Sequence, residues 1–187
     1  KLFDAQTQEL RDIKHKAHTL CMKFNSMDEY DPERLPIIRR FIGAIGEKYH
    51  FVGPIQFNYG SHTFIGENFF ANFNLTVMDD GKIFIGNDVM VGPNVSLLCT
   101  KHPLIADERA RMRYPDGHVS MSEFAGEIHI EDDVWLAANV VVIDGVTIGK
   151  GAVIGAGSVV TRDIPAEWLA VGVPARPIRK ISQRDSK

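Results

Sequence analysis

The sequence predicts a mostly β chain wound as a parallel β-helix, and three observations carry that prediction. An aliphatic residue returns at every sixth position from Ile130 through Leu136, Val142, Ile148 and Ile154 to Val160. A second small or apolar residue follows each of these by four, at Val134, Val140, Val146, Ala152, Ser158 and Ile164. The same phase occurs earlier, led by Ile65, Ala71 and Val77 and again by Ile85, Val91 and Leu97. Each unit reads as a short strand plus a corner; three units make one coil of roughly 18 residues, and coils stack at about 4.8 Å. The inward aliphatics then form ladders around a continuous core that no single repeat could bury. Ordinary strands of a sandwich would show period-two alternation instead.

Composition narrows the class. The 187 residues suit one domain, and 44% hydrophobic content with 24% charge is ordinary for a globular chain. No run approaches about 18 apolar residues, so no membrane-spanning helix is expected. The net charge of −3 argues against nucleic acid as the main partner. The charged first residues show no secretory signal, and Cys21 and Cys99 give neither a disulfide framework nor a metal quartet, so the cytoplasm is the default location.

The expected organisation is a helical cap over 1–50, a β-helix over 51–178 and a charged tail over 179–187. Leu10, Ile13, Ala17, Leu20, Cys21 and Phe24 have helical spacing. A second helix is expected from Asp31-Pro32, carrying Leu35, Ile38, Phe41, Ile42 and Ile45. Together they would cover an open end of the coil stack, with Lys14, His15, Lys16 and His18 on a solvated face. Phe51 to Asn58 reads as irregular strand. Between Val77 and Ile85 the phase slips by two residues around Asp79-Asp80-Gly81, which predicts a bulge over 79–84, either a site or tolerated loop drift. The repeat stops at Cys99, and a polar excursion over about 103–127 follows, with Asp107, Glu108, Arg109, Arg111, Arg113, Asp116 and Glu123. A connection this long inside a compact domain is usually functional or disordered, and from a repeat array it extends outward. Pro165, Pro174 and Pro177 are expected to end regular pairing.

His102 sits where the rigid coil hands over to that excursion, and a neutral imidazole can accept a proton near physiological pH. With seven histidines in the chain, an ordinary surface histidine is the competing reading. Cys99 falls at a near-core phase, which favours a structural thiol over a nucleophile.

Taken together, certain motifs resemble the hexapeptide acyltransferases, and within them the maltose and galactoside O-acetyltransferase group. They are the opening Lys1-Leu2-Phe3, expected to be helical, the run from Ile65 to Asn74, Ile85-Gly86-Asn87 and Gly92-Pro93-Asn94-Val95. They continue with Thr100-Lys101-His102-Pro103-Leu104, Val134-Trp135, Gly145 to Gly149, Gly155 to Pro165 and Gly172-Val173-Pro174-Ala175-Arg176. The resemblance implies a left-handed β-helix, a homotrimer with active sites between subunits, and acetyl-CoA as acyl donor. It implies that His102 is the general base for direct attack of an acceptor hydroxyl on the thioester, without an acyl-enzyme and without a metal.

The resemblance also implies acceptor contacts at Asn58, Asn72 and Asp80, and a coenzyme A groove lined by Ala138, Ala156, Thr161, Arg162, Arg176 and Arg179. A β-helix corner for Asn72, a turn for Asp80 and solvated surface charge for each arginine remain open beside those roles. Three departures bear on the acceptor. The acidic contact near the start of the galactoside enzymes falls here at Asp4 followed by Ala5, one position early. The excursion is longer, and Leu136-Ala137-Ala138 replaces an Ile-Gly pair. The readings therefore include a sugar O-acetyltransferase, an acetyltransferase for streptogramin-type drugs, a metal-dependent carbonic anhydrase of the same fold using histidines such as His118 and His129, and a non-catalytic scaffold.

Overall fold

A computed structural model describes residues 2–4, 7–109, 112–120 and 123–185. Lys1, Ala5 and Arg111, singled out above, lie outside the described residues. The body is a parallel β-solenoid with three faces. The first face stacks Ala44–Ile45, Thr63–Ile65, Ile83–Ile85, Ile128–Ile130 and Val146–Ile148. The second stacks Tyr49–Phe51, Phe69–Ala71, Met90–Val91, Trp135–Leu136, Val153–Ile154 and Trp168–Gly172. The third stacks Ile55–Phe57, Leu75–Met78, Ser96–Leu98, Val141–Ile143 and Val159–Val160.

The repeated aliphatics form the core. Ile130, Leu136, Val142, Ile148, Ile154 and Val160 are all buried, as are the residues four positions after each. Corners between the first and second faces and between the second and third need a left-handed residue, and asparagine or aspartate supplies it at Asn68, Asn74, Asp88, Asn94, Asp133 and Asn139. Side chains of successive coils then bond along the stack, Asn68 Nδ2 to Asp88 Oδ1 and Asn74 Nδ2 to Asn94 Oδ1, both at 2.9 Å across 20 residues. The later coils, at Ile130 and Ile148, step by 18. The two extra residues of the early coils fall at the corner between the third and first faces, around Asp79 and Asp80. The whole excursion leaves from that same corner.

The cap does not end where the sequence suggested. The helix Gln8–Ser26 is capped by Thr7, whose hydroxyl accepts from the Leu10 N–H, and it buries Ala17, Leu20, Cys21 and Phe24 against the first coil. The second helix is only a 3₁₀ turn, Leu35–Arg40. Ile45 has already joined the first face, so the solenoid begins at Ala44, inside the segment assigned to the cap. The sequence hid this coil because Ile42 and Ile45 continue the helical spacing and its second face carries Tyr49 and Phe51 in place of a small aliphatic. Asn25 locks helix to coil, its amide giving to the Ile55 carbonyl and taking from the Ile55 N–H. Arg34 is buried and donates to the carbonyls of Phe24, Phe51 and Val52 while lying 3.9 Å above the Phe24 ring.

Two further expectations change. Leu2–Phe3 is a strand, not helix, and described residues of the excursion pair as strands. Thr100–Lys101 and Leu2–Phe3 flank Glu123–Ala125 in an antiparallel sheet, a short helix spans Ala106–Arg109, and Met112–Arg113 pairs with Val119–Ser120. Pro177 does not end pairing either, because Ala175–Lys180 is the last strand of its sheet and a proline there removes no needed donor.

Candidate active site

The corner between the third and first faces gathers most of the polar chemistry. Asp79 points inward and is fully buried; Oδ1 accepts from the Tyr59 N–H at 2.8 Å and Oδ2 from the Thr63 hydroxyl at 2.9 Å. Burial pushes its carboxyl up, and those hydrogen bonds oppose the shift. Its neighbour Asp80 turns the other way, toward the root of the excursion. Asn58, itself buried, donates from Nδ2 to Asp80 Oδ1 at 3.0 Å, and the Thr100 hydroxyl donates to Oδ2. Two residues after Thr100 comes His102, exposed.

The return strand of the excursion closes this corner. Gly126 comes so near that a Cβ at Gly81 would lie 1.8 Å from its carbonyl oxygen, so only glycine fits there. Lys101 anchors the root to the next coil through a 2.7 Å ion pair with Asp144. Glu123, half-buried on the return strand, has its carboxyl raised, first by burial and next by the Asp80 charge, while His102, Lys14 and Asp4 also act on it. Tyr59 underlies the cluster; its hydroxyl is buried with no hydrogen-bond partner among the described residues, and Lys14 Nζ stands 5.0 Å from its ring centre. Burial raises the Tyr59 phenol, helped by Asp80 and Glu123. At the tip of the excursion, His118 stacks on Tyr114 and reaches both Asp4, at 2.7 Å, and Asp116.

The other expected residues lie elsewhere. Asn72 sits at the corner between the second and third faces, where its Oδ1 accepts from the Phe73 N–H, as the corner reading required. It also lines a groove with Phe70, Met90, Pro93, Trp135 and Ala138, so the two readings of Asn72 are compatible. Ala156 lies at the same corner one coil beyond Ala138, and the Gly157 N–H donates to the Ala138 carbonyl. Thr161 and Arg162 follow the last strand of the third face, while Arg176 and Arg179 lie on the terminal strand. Arg179 is held by Asp185 through two bonds, of 2.8 and 2.5 Å. The structure thus brings Asn58, Asp80 and the His102 root together, and separately Asn72, Ala138 and Ala156; one full face lies between the groups. Sequence reasoning passed over Thr100, Glu123, Tyr59 and Lys14. The pairing of the excursion's two ends is the signal that would have found Glu123, and Lys14 belongs to this cluster rather than to a purely solvated face.

Comparison with known proteins agrees with this architecture. Residues 127–162 match the family model for the bacterial transferase hexapeptide (six repeats), and residues 1–46 match the maltose acetyltransferase hexapeptide capping motif. The galactoside O-acetyltransferase of Escherichia coli (strain K12) is 40% identical over 186 residues, covering 99% of this chain and 87% of the relative. That of Lactococcus lactis is 38% identical, covering 100% and 87%. Among solved structures, a galactoside acetyltransferase in complex with coenzyme A superposes with a TM-score of 0.90 at 40% identity, covering 99% of this chain and 88% of the other. A maltose O-acetyltransferase from Clostridium difficile gives 0.89 at 37%, covering 97% and 93%. The solenoid and its capping segment define a hexapeptide-repeat acyltransferase. More closely, the chain belongs to the maltose and galactoside O-acetyltransferase family.

Proposed function

We propose that the protein transfers the acetyl group of acetyl-CoA to a hydroxyl of a sugar or similar small molecule, with His102 as general base. The observation that carries this is the bonded chain Asn58–Asp80–Thr100 at the root of His102, a polar cradle beside an imidazole in a chain of this family. The imidazole takes the proton of the acceptor hydroxyl as its oxygen attacks the thioester carbonyl. The C–S bond then breaks, and the proton passes to the departing thiolate. A thioester is already activated, so positioning and one base suffice. Asn58, Asp80 and Asn72 hold the acceptor, and Ala138 and Ala156, with no bulk beyond Cβ, leave room for the pantetheine arm. Thr161, Arg162, Arg176 and Arg179 bind the remainder of coenzyme A, with the arginines toward its phosphates. Arg179 must exchange Asp185 for a phosphate to do so.

The two half-sites lie on opposite edges of one face of a single chain, which supports sites completed between copies of the chain in a homotrimer. Acetyl-CoA is an intracellular donor, which supports a cytoplasmic setting, and among the described residues no helix is long and apolar enough to cross a membrane. The hairpin that pairs Met112–Arg113 with Val119–Ser120, tied to Asp4 through His118, favours, as a second reading, a larger hydroxylated acceptor such as a streptogramin-type drug. A metal-dependent hydratase is disfavoured because His118 is engaged by Asp4 and Asp116, and His129 stacks on Phe84 and meets Glu127.

The test follows thiol release from acetyl-CoA against galactosides, maltose, amino-acid alcohols and hydroxylated drugs. His102→Ala should cost roughly two to four orders of magnitude with whichever acceptor turns over. Equal rates for His102→Ala and the native protein would overturn the base assignment.

A further inference from the structure

Asp144 stands at the corner between the third and first faces in the coil that follows the excursion, between Val141–Ile143 and Val146–Ile148. The backbone fixes that corner: Gly145 is left-handed, at φ +76°, and its N–H donates to the Glu127 carbonyl at 2.8 Å. Both ends of the excursion close on the Asp144 carboxylate. The outgoing end brings Lys101 Nζ within 2.7 Å of Oδ2. The returning end brings Gly126 so close that a Cβ there would lie 2.6 Å from the same oxygen. The Asp144 side chain is only 8% exposed, whereas that of Lys101 is 59% exposed. Fully exposed ion pairs hold little, because water and salt screen them and two long side chains must be ordered. Asp144 has lost most of its water, so Lys101 cannot swing away without leaving a buried charge unpaired. Successive strand residues point to opposite sides, and here Thr100 bonds to Asp80 while Lys101 bonds to Asp144. The root is therefore fastened on both sides, and His102 is the next residue.

We infer that the Lys101–Asp144 pair positions the base: Lys101 is the positioning residue of His102, and Asp144 is the fixed point on the rigid coil that holds it. The inference rests on the reading of His102 as base. The pair takes no proton and acts through the backbone that joins Lys101 to His102. Without it the root keeps its Thr100 bond but is free to pivot about it. A displacement of about 1 Å at a reacting group is worth up to roughly a hundredfold in rate. The Ala138 groove lies one full face away, so the pair bears on the chemical step and not on the binding of acetyl-CoA.

The experiment compares the native full chain with Lys101→Met, Asp144→Asn, the double variant and Lys101→Arg. Turnover is measured with acetyl-CoA and methyl β-galactoside, or the best acceptor of the panel, and hydrogen exchange is read at the amides of 100–102 and 124–126. Each single neutral variant should lose about tenfold or more in kcat while KM for acetyl-CoA holds. The double variant should fall no lower than the worse single one, because both changes break the same link. Lys101→Arg, which keeps a cation within reach of Asp144, should stay within about threefold of the native kcat. Exchange at the root should quicken in the three neutral variants and not in Lys101→Arg. Losses that multiply in the double variant overturn the inference, since the two residues would then act separately. Native kcat in the single variants also overturns it, even if exchange quickens, because a loosened root would then leave the base in place. Exchange is read without turnover, so failure of the base assignment, seen as an active His102→Ala, is distinguishable from failure of the pair. Should Asp144→Asn not fold, Lys101→Met against Lys101→Arg decides, since both keep Asp144.

Discussion

Asp79 offers a sharp test of how the active corner is held. Its carboxylate is fully buried and satisfies two donors, the Tyr59 N–H and the Thr63 hydroxyl. Asp79→Ala leaves both unpaired inside the protein, at about 1–3 kcal/mol each, and the vacated volume adds to that, so a loss of about 3–5 kcal/mol is expected. That is a large part of the 5–15 kcal/mol typical of a folded domain. Asp79→Asn differs: its amide oxygen can still accept from Tyr59, and its NH₂ can donate to a reoriented Thr63 hydroxyl. Since burial raises the Asp79 carboxyl in the folded state, the folded protein holds that proton more tightly than the unfolded chain. Stability conferred by the group is therefore present at low pH and falls as pH rises from the unfolded value near 3.8 through the raised folded value. Asp79→Asn removes that decline, and should match or exceed the native protein at pH 7. Urea unfolding of the three proteins at pH 4 and pH 7 reads this out. An Asp79→Asn loss as large as that of Asp79→Ala would refute the reasoning and show that the charge itself holds the corner.

Other expectations follow from the same contacts. Arg34→Met should cost about 3 kcal/mol or more in urea unfolding, because three buried carbonyls lose a charged donor and Phe24 loses its cation; a change under about 1 kcal/mol would contradict the stapling role. Burial pushes the thiols of Cys21 and Cys99 up to about 11 and about 12, so an aromatic disulfide reagent should find no reactive cysteine in the native protein and both after unfolding. Asp116 and Asp4 raise the His118 imidazole, so its contribution is complete below the unfolded value of 6.5 and is lost as pH rises through the folded one. Hydrogen exchange in 114–118, corrected for the intrinsic effect of pH, should therefore quicken between about pH 6 and pH 8 in the native protein and be insensitive in His118→Phe.

The solenoid was legible because its physics is periodic: each inward aliphatic of 130–160 answers to one buried rung of a ladder. The first coil was not, since Ala44, Tyr49 and Phe51 fit no aliphatic repeat and the preceding residues carry helical spacing. The slip at Asp79-Asp80 was visible as a phase error, but not that Asp79 turns inward and Asp80 outward; that depends on contacts with Tyr59, Thr63, Asn58 and Thr100, which stand up to 22 residues away. Glu123 was unreadable for a related reason. In a polar excursion with no alternating pattern, nothing in the composition fixes which residue of the return strand comes beside the Asp80 corner, and only the pairing of its two ends does.

If the His102 corner of one chain works with the Ala138 groove of another, variants damaged in opposite half-sites must rescue each other. The most direct measurement mixes two variants that are each inactive, His102→Ala and Ala138→Trp, the second filling the groove, by unfolding and refolding them together in equal amounts. If sites form between chains, about one site in four combines an intact corner with an intact groove, and acetyl transfer should return to roughly a quarter of the native rate. If each site lies within one chain, the mixture should remain as inactive as its components.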